Sequence, residues 1–133
     1  MVDLEDCHHY FASNGQQNSW FKYDFKDKKV RPICYPIRTH HISGKNNCHL
    51  QHWVIEGSNT DRDDDWKILD SRNNITALND ANRICKFEFK EKLESSQSFR
   101  YLRLRQTGVN TSGGHHLNIS ALEYFGSQQT SHI

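Results

Sequence analysis

Residues 99–106 read FRYLRLRQ, and this stretch decides the fold class. Leu102 and Leu104 alternate with Tyr101, Arg103 and Arg105. A period of two places the leucines on one face and the charged residues on the other, as a half-buried strand requires. A helix would scatter them around its circumference.

The same alternation recurs in both directions. RICKFEFK (83–90) aligns Cys85, Phe87 and Phe89, and WFKYDF (20–25) separates Trp20, Lys22 and Asp24 from Phe21, Tyr23 and Phe25. LQHWVIEGS (50–58) puts Trp53 and Ile55 on one face, and WKILD (66–70) is a further short strand. KVRPICYPIRT (29–39) is extended, but Pro32 and Pro36 cannot donate to a ladder, which predicts an edge or bulged strand. The Lys26–Arg31 run reads as a charged hairpin covering an edge. In LNISALEYFG (117–126) the apolar face shifts from Leu117 and Ile119 to Leu122 and Tyr124, predicting a bulge near Ser120 or Ala121.

At least seven short strands separated by turn signals, without a convincing helix, make an all-β antiparallel β-sandwich. The expected core is Phe21 or Trp20, Trp53, Ile55, Trp66, Leu69, Phe87, Phe89, Leu102, Leu104, Ile119 and Leu122. One domain is expected over residues 1–126, followed by a polar tail at 127–133.

Bulk properties narrow the function. With 133 residues, 17 basic and 16 acidic, the net charge is +1 and no basic footprint for nucleic acid stands out. No apolar run reaches the ~20 residues of a membrane helix. The start MVDLEDCHHY is acidic and polar, unlike a secretory signal. Cys7, Cys34, Cys48 and Cys85 have no framework spacing, so free thiols and a cytoplasmic setting are expected. Sequons at Asn74, Asn110 and Asn118 point the other way, but a chain this rich in Asn, Ser and Thr produces one or two by chance.

Four stretches in order, NSWFKYDF, HWVIEGSN…DDDWKILD, FRYLRLRQTGVN and LNISALEYFG, resemble the discoidin or coagulation factor V/VIII type C family over about residues 18–126. The resemblance implies a jelly roll of the galactose-binding-like superfamily whose loops at one end contact ligand. The secreted branch ends its last strand with Gly-Cys. Here Ser127 follows Gly126, so the likeness is to the intracellular-type branch of larger multidomain proteins. The family's first strand or two is poorly represented before Trp20, so the chain is expected to start inside the module.

Strand parity places the loops. Successive connections in an antiparallel sandwich alternate between its two ends. One rim then collects the segment before Trp20 and loops 40–48, 71–82 and 107–116. The other collects 26–29, 59–65 and 91–98. All three His-His pairs, His8-His9, His40-His41 and His115-His116, fall on the first rim. Asp61, Asp63, Asp64 and Asp65 fall on the second, as a solvated turn without the Gly and terminal Glu of a calcium loop. One of Arg100, Arg103 and Arg105 is expected to pair with Glu56 or Glu123, the others being solvated.

RTHHISGKNNCHLQHW (38–53) holds five residues that could bind a soft metal. Zinc needs three or four ligands in a tetrahedron, which one loop without CxxC-type spacing rarely supplies. No metal or cofactor is therefore assigned; His40, His41, Cys48 and His49 would be first suspects if one were present. No catalytic motif is present, which points away from an enzyme. A first rim of Asn, Gln, His and Gly suits a shallow polar ligand, either a glycan or a protein or peptide segment. The candidate contacts are Asn14, His40, His41, Asn47, Asn110, His115 and His116. The alternative is a scaffolding domain docking on neighbouring domains of a parent chain through a sheet face or edge.

Overall fold

The computed structural model describes residues 8–12, 18–39, 48–94, 96–117 and 119–130. Nine strands follow in order: β1 (His8–Ala12), β2 (Trp20–Asp24), β3 (Lys28–Arg38), β4 (Trp53–Ser58), β5 (Lys67–Arg72), β6 (Ile84–Glu88), β7 (Tyr101–Gln106), β8 (Ala121–Leu122) and β9 (Phe125–Thr130). Among the described residues there is no helix. The strands form a five-stranded sheet, β1-β2-β7-β4-β5, and a four-stranded one in which β6, β8 and β9 all pair with β3. All pairings are antiparallel, so the chain is an antiparallel β-sandwich.

The opening stretch sits at the middle of the larger sheet. Leu102 faces Tyr23 on one side and Gly57 on the other; Leu104 faces Phe21 and Ile55. Both leucines are fully buried, with Trp53, Ile55, Val30, Tyr35 and Ile37. Gly57 is required there, because an added Cβ would lie 2.6 Å from the Phe99 ring. Leu69, Phe87 and Leu122 complete the expected buried set, while Phe21, Phe89, Cys85 and Ile119 are partly buried against it. Leu50, Leu78 and Tyr124 join the core from outside the expected set.

Two tyrosines clip the sheets together. Tyr23 on β2 donates its hydroxyl to the Leu122 carbonyl in the opposite sheet. Tyr35 on β3 donates to Asp70 Oδ2 at 2.5 Å and accepts from Trp53 Nε1 at 3.0 Å. Arg72 Nε also reaches Asp70, at 2.9 Å. Burial, and then the Asp70 hydrogen bond, push the Tyr35 hydroxyl far above its ordinary value, so it stays protonated and donating.

Several expectations change. Trp66 is not core: it lies half-buried on the outer face of the larger sheet, under the Arg103 guanidinium at 4.0 Å. A register shift between Ile55 and Glu56 alters the parity of β5, so both Leu69 and Asp70 are buried. β3 is the central strand of its sheet and not an edge, so the Lys26–Arg31 run does not shield one. The bulge expected as the alternative is present, between Pro32 and Cys34 opposite β9, whereas Pro36 sits in regular register opposite Lys86. At that bulge the backbones approach so closely that a Cβ on Gly126 would lie 2.1 Å from the Arg31 carbonyl oxygen. The segment expected as a polar tail from residue 127 is instead paired through Thr130 with Lys28. Two arginines, not one, hold Glu56: Arg103 Nε at 2.9 Å and Arg105 Nε at 2.8 Å, while Arg100 pairs with Asp24.

Candidate ligand-binding rim

Three loops and the start of β2 meet at one end of the sandwich. The loop after β7 is folded on Asn110, whose Oδ1 accepts from the Ser112 and Gly114 amides at 2.9 and 3.1 Å. Its Nδ2 donates to the His116 carbonyl at 3.0 Å. Gln106 Nε2 donates to the His115 and His116 carbonyls, and Ser19 Oγ donates to the His115 carbonyl at 3.0 Å. The residues before β4 lock on from the side. The Thr111 amide donates to the His49 carbonyl at 3.0 Å, and the His49 and Cys48 amides donate to Thr111 Oγ1 and Ser112 Oγ.

His52 ties in the third loop. Its Nδ1 accepts from the Asn74 amide at 3.2 Å, so its ring proton sits on Nε2. Its carbonyl accepts from the Thr107 amide, and Gly108 lies so near that a Cβ would be 2.9 Å from the ring. Thr39 fastens the far side of loop 71–82, donating through Oγ1 to the Asp80 carbonyl at 2.7 Å. Parity therefore brings Ser19, Thr39, 48–52, 71–82 and 107–116 to one end, and 25–28, 59–65 and 94–100 to the other.

The nominated contacts fare differently. His115 is half-buried and His116 exposed, with both carbonyls held inward so the chain is fixed beneath the imidazoles. Asn110 corrects the expectation: at 1% exposure, with its amide spent on its own loop, it builds the rim and presents nothing outward. Asn14, His40, His41 and Asn47 lie outside the described residues. Of the suspected metal ligands, His49 is completely buried and Cys48 is half-buried with Sγ near Ser112 Oγ at 3.6 Å. Among the described residues no group of three or more His, Cys, Asp or Glu is arranged to hold a metal ion. His52 was not nominated; only its position at the mouth of β4 could have singled it out.

The opposite end is built on charge. Asp65 Oδ2 accepts from Ser58 Oγ, Thr60 Oγ1 and the amides of Asn59 and Thr60. The Thr60 and Ser58 hydroxyls hold its carboxyl below the ordinary range. Lys22 reaches Asp61 at 2.7 Å, and Asn59 bridges Ser98 and Arg100.

No family model matches the chain. Its fold is shared with several solved structures, CBM32 and chitosan-binding modules among them. The CBM32 module CpGH89CBM32-6 produced by Clostridium perfringens superposes with a TM-score of 0.60 at 13% identity, over 92% of this chain and 95% of that one. A mutant of chitosan-binding module 1 from the chitosanase/glucanase of Paenibacillus sp. IK-5 gives 0.60 at 12% identity, over 89% and 75%. The CBM32 of AlyQ, in complex with 4,5-unsaturated mannuronic acid, gives 0.55 at 12% identity, over 85% and 74%. By sequence, the E3 ubiquitin-protein ligase Ufd4 of Drosophila melanogaster is 25% identical over 122 residues, 91% of this chain. The chain spans only 4% of that protein's length.

Proposed function

We propose that the chain is a non-catalytic, discoidin-like module of the intracellular type, working inside a larger protein and taking a hydroxyl-rich ligand, a glycan first, at the histidine-bearing rim. One observation carries the reading: the rim loops spend their amide side chains on each other's backbone and leave His116 exposed and His115 half-buried on a fixed support. A pre-organised polar surface of this kind recognises hydroxyls at small ordering cost. The carbohydrate ligands named for the solved relatives support it.

A protein or peptide ligand at the same rim is the second reading. It is favoured by the likeness of nearly the whole chain to one small part of a ubiquitin ligase. A glycan array and a parallel pull-down with the 133-residue chain separate the two. An imidazole offers hydrogen-bonding nitrogens to hydroxyls and to backbone groups alike, so binding to either ligand is expected to fall in His115→Ala/His116→Ala. Retention of full binding by that variant would remove the rim from the reading.

A further inference from the structure

The two sandwich faces differ in how their cations are satisfied. On the outer face of the five-stranded sheet Arg103 and Arg105 meet Glu56, Arg100 meets Asp24, and Lys22 meets Asp61. On the outer face of the four-stranded sheet, Arg31 and Arg38 of β3 meet none among the described residues; Arg31 Nε reaches only Ser127 Oγ, at 3.3 Å. Between these two arginines runs an apolar strip. Ile33, thrown outward by the bulge, is 55% exposed, and Ile84, beside Arg38 in register, is 62% exposed. Half-buried Pro36 and Phe125 fill the middle of the strip.

A cleft marks each end. One of about 340 Å³ is lined by Pro32, Ile33, Phe89 and Leu93 together with Arg31, Lys92 and Glu88. The other, about 360 Å³ and more polar, is lined by Pro36, Ile84 and Ala121 together with Arg38, Ser120 and Glu123. Four cations, Arg31, Arg38, Lys86 and Lys92, surround the strip against two carboxylates, Glu88 and Glu123.

We propose that this face is a second binding surface, independent of the rim, for an extended acidic peptide whose apolar side chains enter the two clefts while its carboxylates meet Arg31 and Arg38. The excess of cations selects the occupant. A second copy of this chain would set like charge against like, and an apolar strip bordered by carboxylates suits a nucleic acid poorly. Along a strand rising ~3.3 Å per residue, Arg31 and Arg38 lie about 20 Å apart, the reach of roughly six or seven extended residues.

The test uses a fluorescein-labelled octapeptide of alternating glutamate and leucine, with a lysine–leucine octapeptide and a single-stranded oligonucleotide as controls, in fluorescence anisotropy. The glutamate peptide is expected to bind and the controls not to. Arg31→Glu/Arg38→Glu should weaken it at least about tenfold, Ile33→Ser/Ile84→Ser comparably, and rising salt progressively. His115→Ala/His116→Ala should leave it unchanged, so failure here is separable from failure at the rim. Exposed substitutions of this kind leave folding intact, and Arg31→Gln/Arg38→Gln, with an intermediate loss, covers the case where charge reversal unfolds the chain. No binding up to millimolar peptide, equal binding of any control, or an undiminished arginine variant overturns the proposal. So does a dimer in sedimentation that Ile33→Ser dissolves, which would assign the face to a second copy.

Discussion

The two ends of this sandwich are held by different chemistry. The Asp65 end is fastened by carboxylates: Asp65 gathers four donors, Asp61 takes Lys22, and Asp24 takes Arg100. The Asn110 end is fastened by neutral amides and hydroxyls, through Asn110, Gln106, Ser19 and Thr39. A charged fastening in open water is screened and contributes little. A neutral, buried one is insensitive to salt and expensive to break. The end that carries the proposed site is thus built from the costlier bonds.

The sharpest perturbation strikes the core between the sheets. Trp53, fully buried at the start of β4, should cost about 3–5 kcal/mol as Trp53→Ala, enough to unfold a marginal domain. A variant melting within a few degrees of the parent would contradict its placement. Next comes Asn110→Ala, which strands the Ser112 and Gly114 amides and leaves the His116 carbonyl with Gln106 alone. A loss of about 2–3 kcal/mol is expected, with accelerated hydrogen exchange confined to 107–116 and 48–52. Exchange that rises equally around Asp65 would dissolve the distinction between the ends.

A pH titration tests the ionic side. Burial alone would raise the Glu56 carboxyl, but hydrogen bonds from Arg105 and Arg103 outweigh it and hold it below the ordinary range. A depressed carboxylate contributes stability that is present above its unfolded value, ~4.3, and is lost as pH falls through the lower folded one. Glu56→Gln should therefore be less stable than the parent at neutral pH, with the gap narrowing as pH falls below about 4. A gap constant from pH ~7 to ~3 would mean that the charge on Glu56 does not matter. The smallest effect is expected from Asp65→Asn, because this exposed carboxylate works in water: a slight drop in melting temperature, measured by circular dichroism, and no change in ligand binding at the other end. Addition of EDTA should shift the melting temperature of neither protein; a large fall would make the rim a metal site.

Much of this was legible in the chain because strand alternation is a local signal. FRYLRLRQ and RICKFEFK could be read without knowing their neighbours, and parity then sorted the loops to their ends. What failed was non-local. Trp66 is expected in the core from the family resemblance, but the register shift opposite Glu56 leaves it beneath Arg103. Asp70 has no sequence cue for burial, since its partners Tyr35 and Arg72 are settled by the closing of two sheets. β9 escaped notice because Ser127 and Gln128 carry no apolar pattern, yet a backbone can pair without one. On the rim, Asn110 was chosen for its polarity; whether an amide faces water or its own loop depends on a turn that spacing does not encode. The sequence leaves Glu56 and Glu123 equally open as the partner of one arginine; that Glu56 holds two depends on β7 lying beside β4.

β3 has a consequence for the order of events during synthesis. Its Lys28 pairs with Thr130 and its Arg38 with Ala121, so the spine of the smaller sheet waits for residues that the ribosome adds about a hundred positions later. Trp20 and Asp24 likewise wait for Arg105 and Tyr101. Until then the early strands have no permanent neighbour, and their apolar faces stay in the open. Such distant pairing makes for slow acquisition of structure and exposes the nascent chain to wrong partners. A chain stopped before Ala121 would lack both β8 and β9, leaving one whole flank of β3 without its ladder.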